Sequence, residues 1–192
     1  MTQVLTVRPA RPDDAPFAIP LIQETIGHIG LVLTGAASDA EAEGVMLEFF
    51  KLPGNRLSFQ NVWIAQNSAE ALGLLLGYAG ADSGALDEPF REHLRGRNLT
   101  GDFLSEGLPG EWYLDTLAVT EAARGHGVGA RLLREAATQA LANGLERVGL
   151  LVERGNRAAR LYEREGFSVE GKRTLGSHVY DHMIRPAQNT AQ

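Results

Sequence analysis

Residues 112–142 read WYLDTLAVTEAARGHGVGARLLREAATQALA, and this stretch decides the fold. Trp112 to Val119 has the composition of a strand. The turn Arg124-Gly125-His126-Gly127-Val128-Gly129 follows. From Ala130 to Ala142 the apolar residues Leu132, Leu133, Ala136, Ala137, Ala140 and Leu141 recur at helical spacing and form one stripe. Strand, glycine turn and helix in that order make a ready anion site. Glycines at alternate positions let the backbone approach an anion without Cβ contacts. The turn runs into a helix N-terminus, whose unpaired N–H groups and dipole favour phosphate. Arg124 adds a fixed cation. Two familiar phosphate motifs do not fit. A P-loop needs Lys-Ser/Thr after its last glycine, and here Gly129 is followed by Ala130-Arg131. A dinucleotide-binding G-x-G-x-x-G started at Gly125 meets its third glycine one residue early. A tight turn without a ligand remains the alternative on these residues alone.

Working outward, Val4 to Arg8 alternates as a first strand, stopped by Pro9. Asp13-Asp14 opens a helix whose apolar face runs from Ala15 to Ile29, weakened at its end by Gly27 and Gly30. Ser38 and Glu41 have capping-box spacing, so a short helix to about Phe50 is expected, ended by Pro53-Gly54. Val62–Ala65 and Leu72–Ala79 flank the polar turn Asn67–Glu70 and read as an antiparallel hairpin. Residues 80–110 read as a long insertion with a short helix near Glu88–Leu94. It carries Arg91, His93, Arg95 and Arg97, either a cover for a substrate site or a solvated loop. Beyond the central helix, Asn143-Gly144 is a C-cap signal and Val148–Val152 a buried strand. Asn156–Glu165 reads as an amphipathic helix with Gly166 at its C′ position. Phe167–Arg173 and Val179–Ile184 read as two last strands. The whole is a mixed α/β domain, residues 4–186, with a mostly antiparallel sheet and flanking helices, and a polar tail at 187–192.

Composition narrows the function classes. The chain has 192 residues, 44% hydrophobic and 22% charged, enough for one substantial core. It contains no cysteine, which excludes disulfides, a cysteine nucleophile and thiolate metal sites. A net charge of −6 argues against a nucleic-acid partner and suits cationic or neutral substrates. Neither a signal peptide nor a membrane-spanning run is visible, so no membrane partner and a cytoplasmic location are expected. His178 and His182 are four apart, but in a strand that spacing separates them, so no metal is expected.

With these residues in view, the chain resembles the GNAT superfamily of acetyl-CoA-dependent N-acyltransferases. Arg124 to Gly129 matches its R/Q-x-x-G-x-G/A signature. Leu117-Ala118-Val119 looks like its pantetheine-pairing strand, and Leu161-Tyr162 to Gly166-Phe167 resembles its L-Y-x-x-x-G-F segment. The resemblance implies acetyl-CoA as cosubstrate and no metal. It implies cofactor contacts from Leu117, Ala118 and Val119, from Arg124, Gly125, His126, Gly127, Val128, Gly129 and Ala130, and from Asn156. His126 would contribute mainly backbone. Asn156 lies six residues before Tyr162 rather than the family's seven, and a helix cap is its alternative. Tyr162 is implied as the general acid that protonates the leaving thiolate; the alternative is a packing tyrosine at a helix–sheet seam. Asp115 and Glu111 share one strand face by period-two spacing and are the candidate general bases, Asp115 ranked first, with a structural carboxylate as the alternative. The acceptor would be an amine on a small molecule or a peptide, and a homodimer is common among such proteins. Two other functions stay open: a non-catalytic acyl-CoA sensor with the same fold, and a dinucleotide binder.

Overall fold

The computed structural model describes residues 4–188. Seven strands form one sheet: β1 Thr6–Pro9, β2 Val62–Gln66, β3 Ala71–Ala79, β4 Trp112–Val119, β5 Arg147–Glu153, β6 Ser168–Leu175 and β7 His178–Pro186. Their order across the sheet is β1-β2-β3-β4-β5-β7-β6. Every neighbouring pair is antiparallel except β4 and β5, which run parallel. The parallel pair needs a crossover, and the helix α5, Val128–Ala142, supplies it.

Helices cover both faces. On one side lie α1 Ala15–Ile26, α2 His28–Thr34, α3 Asp39–Lys51 and α4 Ser83–Gly96. Their core includes Ile19, Ile22, Leu33, Met46, Phe50 and Phe90 against Ile64, Leu74 and Leu76. On the other side α5 and α6, Ala159–Arg164, pack Leu132, Leu133, Ala136 and Tyr162 against Leu75, Leu114, Val148 and Leu150. Apolar burial on both faces explains why β3 and β5 are continuous apolar runs rather than alternating ones.

The first helix does not continue to Ile29. Gly27 takes φ 51° and the chain turns by 112° before α2 begins. The Ser38 cap forms as expected, its Oγ accepting from Glu41 N–H, but the Glu41 carboxylate reaches Ala37 N–H instead of Ser38. Residues 80–110 are far more ordered than their sequence suggests. The helix α4 takes up 83–96 and leaves only a connection to β4. Its burial rests on Phe90, stacked on Phe49 at 4.1 Å between ring centroids, on Leu94, and on Asp87, a carboxylate fully buried beside Arg56. The expected second amphipathic helix is shorter, because residues 156–158 form a turn before α6. At the far end β7 runs on through Pro186, and buried Ala187 donates its N–H to Glu146 O. The expected tail therefore begins inside the fold, and residues 189–192 lie outside the described ones.

Two features of β4 position the site. First, Leu76 pairs with Thr116 but Gly77 pairs with Leu114, so Asp115 is an extra residue, a β-bulge. The bulge reverses the alternation: Trp112 and Leu114 pack on the α5 side, and so do Leu117 and Val119 beyond it. Gly77 permits this, since a Cβ there would lie 2.1 Å from the Trp112 ring. Second, β4 and β5 pair only through Trp112–Val148, Tyr113–Gly149 and Leu114–Leu150. Beyond Leu114 the two strands part, and the β5-facing main-chain edge of β4 from Asp115 to Val119 has no strand partner among the described residues.

Candidate active site

The gap between β4 and β5 opens into two adjoining chambers. The larger, about 970 Å³, is lined by Leu117, Ala118 and Val119, by Arg124 to Ala130 apart from His126, and by Asn156, Leu161 and Tyr162. Gly125 and Gly127 both adopt left-handed conformations, φ 79° and 80°. There an ordinary side chain is strained and glycine is not. Gly127 is the N-cap of α5. The first N–H groups of that helix, which have no intrahelical acceptor, therefore face the chamber at its apolar floor. Gly129 lets α6 approach: a Cβ on it would stand 3.0 Å from Leu161 Cδ2. Arg124 lies at the rim, donating to Val119 O and bridging to Glu24 at 3.3 Å, with both side chains more than half exposed. An exposed pair of this kind is worth little and is readily exchanged. His126 is exposed and lines neither chamber.

Tyr162 is held by α6 and by an edge-to-face contact with Phe167 at 5.8 Å. Its ring is buried, yet it lines both chambers. No side chain among the described residues hydrogen-bonds its hydroxyl. Burial alone pushes its pKa up to about 12, so the phenol is protonated throughout the neutral range. Asn156 also borders both chambers; its Oδ1 accepts from Ala158 N–H at 2.9 Å and so organises the turn into α6. The expected helix cap is not formed, since Ala158 is the N-cap of α6 and has no side-chain cap bond; Asn156 shapes the turn before it, at a position that still faces the cleft.

The smaller chamber, about 390 Å³, has an acidic floor that the sequence did not reveal. Arg56, with only 2% of its side chain exposed, pairs with Asp115 at 2.5 Å, Glu106 at 3.1 Å and Asp87 at 3.2 Å. Tyr78 donates its hydroxyl to Asp115 at 2.7 Å, and Tyr113 donates to Glu106 at 2.6 Å. Burial opposes the charge on Arg56, but Asp115, Tyr78, Glu106 and Asp87 outweigh it and hold its pKa well above the ordinary value. Burial likewise raises Tyr78 and Tyr113 well above the usual phenol range. The loop carrying Arg56 is fixed by Asn55, whose amide donates to Phe49 O and Leu52 O while its Oδ1 accepts from Leu57 N–H. Local sequence offered no signal for Arg56, since its partners come from residues 31 to 59 positions away. The bulge did have a signal, the isolated Gly77 inside a strand.

Asp115 and Glu111 thus have different surroundings. Asp115 lines the smaller chamber, but Arg56, Tyr78 and Thr116 already donate to its carboxylate. Glu111 is fully buried, lies over Gly149, accepts from Leu108 N–H, and contacts His182 Nε2 at 2.9 Å. It lines neither chamber. The basic residues of the insertion also stay clear. Arg91 holds Phe103 O and Ser105 Oγ, Arg95 holds Glu88, and His93 and Arg97 meet Thr34 O. What the insertion brings to the site is Glu106. His178 and His182 each face a separate glutamate, Glu153 and Glu111.

Comparison with known proteins agrees with this geometry. Residues 56–167 match the model of the acetyltransferase (GNAT) family. A search of curated proteins gave no match. Among solved structures, an acetyltransferase is 31% identical over 95% of this chain and 100% of its own, with a TM-score of 0.77. A protein from Corynebacterium glutamicum described as histone acetyltransferase HPA2 and related acetyltransferase is 26% identical over 97% and 99%, TM-score 0.64. An N-acetyltransferase from Staphylococcus aureus Mu50, at 21% identity over 93% and 99% with a TM-score of 0.73, shares the fold. With the split sheet, the glycine turn and these matches together, the chain belongs to the GNAT family of N-acetyltransferases.

Proposed function

We propose that this protein transfers the acetyl group of acetyl-CoA to a primary amine by direct attack, with both reactants bound at once. The observation that carries the reading is the position of Tyr162, on the boundary between a chamber fitted to a phosphorylated, extended donor and a chamber fitted to an amine. Acetyl-CoA, which the family uses, supplies an activated thioester. The residues present fit it. The free edge of β4 at Leu117–Val119 offers main-chain N–H and C=O groups to an extended pantetheine arm, as a further strand would use them. The backbone of Gly125–Ala130 and the N-terminus of α5 suit the pyrophosphate, with Arg124 exchanging Glu24 for phosphate oxygens. Asn156 closes that chamber from the α6 side.

The chemistry follows from the arrangement. The acceptor ammonium loses its proton to water in the smaller chamber, and the neutral nitrogen attacks the acyl carbon. A main-chain N–H near Val119 stabilises charge developing on the carbonyl oxygen. The C–S bond breaks as the C–N bond forms, Tyr162 gives its proton to the departing sulfur, and the second proton shed by the new amide nitrogen passes through water to restore the Tyr162 phenol. With three groups already donating to it, Asp115 acts in this scheme by holding Arg56 and the chamber floor rather than as a free base. Proximity of two bound reactants supplies much of the acceleration. Calorimetric titration with acetyl-CoA, followed by CoA-release assays on a panel of primary amines, tests the proposal. Tight binding with turnover on at least one amine is expected. Binding with no turnover on any amine would leave only an acyl-CoA sensor.

A further inference from the structure

The smaller chamber carries more negative charge than it can neutralise. Its charged lining is four carboxylates, Glu24, Glu106, Asp115 and Glu153, against two guanidiniums, Arg56 and Arg124. Arg124 is the side chain assigned above to the pyrophosphate, and its departure frees Glu24. Arg56 then faces Glu106 and Asp115 in the chamber wall and Asp87 behind it. Even with Asp87 set aside, Glu106 and Asp115 alone outnumber Arg56. The nearby cations do not correct the imbalance. Of the carboxylates around Arg56, Arg91 reaches Asp87 alone, at 3.9 Å, and Arg173 donates to the main-chain carbonyls of Ser105 and Glu106 rather than to the carboxylates. An uncompensated carboxylate out of water is costly, and a bound cation relieves it. Glu106 is the group best placed to receive one. Each of its oxygens accepts a single hydrogen bond, from Arg56 and from Tyr113, which leaves lone pairs on both. Glu106 and Tyr162 both line the chamber, and its lining also includes the apolar or aromatic side chains of Ile26, Ile29, Leu151 and Tyr180, which suit methylene groups. The volume of about 390 Å³ lies near the small end for ligand pockets.

We propose, on the strength of the acetyl-transfer reading, that the acceptor is a short alkylamine bearing a second positive charge, its reacting nitrogen at Tyr162 and its second cation at Glu106. The residue that selects it comes from the insertion, not from the sheet that binds the donor. Three amines with the same reacting end and five-carbon stem separate the possibilities: 1,5-diaminopentane, 1-aminopentane and 6-aminohexanoate, whose far ends are cationic, neutral and anionic. The kcat/KM of wild-type protein should fall at least about tenfold from the first to the second and again to the third, the size expected when one charge-assisted hydrogen bond is lost and then replaced by repulsion. Glu106→Gln should shrink the ratio of the first to the second by about tenfold. The same order is read as affinity, by calorimetry with CoA bound, so it is obtained even if none of the three turns over. Equal use of diaminopentane and aminopentane, or preference for aminohexanoate, overturns the proposal while leaving acetyl transfer intact. Failure to bind acetyl-CoA overturns the acetyl-transfer reading and this proposal with it. Should Glu106→Gln not fold, the wild-type order still decides.

Discussion

Replacing Tyr162 by phenylalanine removes one oxygen and tests the proposed acid with little else disturbed. The ring keeps its contact with Phe167 and its place on α6 in the core shared with α5. No side chain among the described residues hydrogen-bonds the hydroxyl, so its loss leaves no protein group unpaired there, and folding stability should change by less than about 0.5 kcal/mol. Catalysis should change far more. A positioned general acid contributes about 10²–10⁴-fold, so kcat for the best amine should fall at least about 100-fold while KM for acetyl-CoA moves less than about threefold. The pH dependence sharpens the test. Burial holds the Tyr162 pKa at about 12, so the wild-type acid stays protonated and should produce no alkaline fall in kcat at pH 10 or below. A thiol of ordinary pKa, about 8.5, needs less help to leave as the medium becomes more alkaline. The deficit of Tyr162→Phe should therefore narrow above that pH. The assay is CoA thiol release at saturating acetyl-CoA from pH 6 to 10, alongside thermal unfolding of both proteins. A variant retaining more than a third of wild-type kcat would refute the acid role. A variant destabilised by 2 kcal/mol or more would show that the hydroxyl is a structural element after all.

Three further outcomes follow from the structure. Arg56→Met should lower stability by about 3–5 kcal/mol, because it leaves Asp87, Glu106 and Asp115 without their shared cation. In a chain of this size that is on the order of 10 °C in Tm, readable by calorimetry. Gly77→Val should cost about 1–3 kcal/mol through overpacking at the Trp112 ring and Tyr113 O, and should also weaken acetyl-CoA binding, since the same bulge sets the direction of β4 beyond Asp115. Alkaline pH should destabilise the fold through Tyr78, Tyr113 and Tyr162, whose pKa values burial raises in the native state. The sign is that of a raised pKa: the contribution is fully present below about pH 10, where unfolded tyrosine begins to ionise, and is lost as pH rises through the native values. Phenolate absorbance should therefore appear together with unfolding; three tyrosines titrating normally in the folded protein would contradict their burial.

Local signals determined much of this protein. Glycines at 125, 127 and 129 between a strand and a helix specify the anion turn, because left-handed backbone at the first two and close approach of α6 at the third each favour glycine. Apolar periodicity placed α5, strand-like composition placed β4, and the L-Y-x-x-x-G-F segment placed Tyr162 beside them. Such features act over a few residues, so composition and spacing expose them. Tertiary structure alone decided the acceptor side. Arg56 joins carboxylates from α4, from the end of the insertion and from β4, and pairings across such distances in the chain leave no periodic trace. The same network bears on α4, which begins five residues before the short helix expected near Glu88–Leu94: the buried Asp87 in its added turn is anchored by Arg56, a partner 31 residues away. The splay of β4 from β5 is likewise invisible in either strand alone, because it consists of hydrogen bonds not formed between them. The donor site is encoded in local conformation and was legible in the chain. The acceptor site is encoded in charges brought together by folding, and only the folded chain displays it.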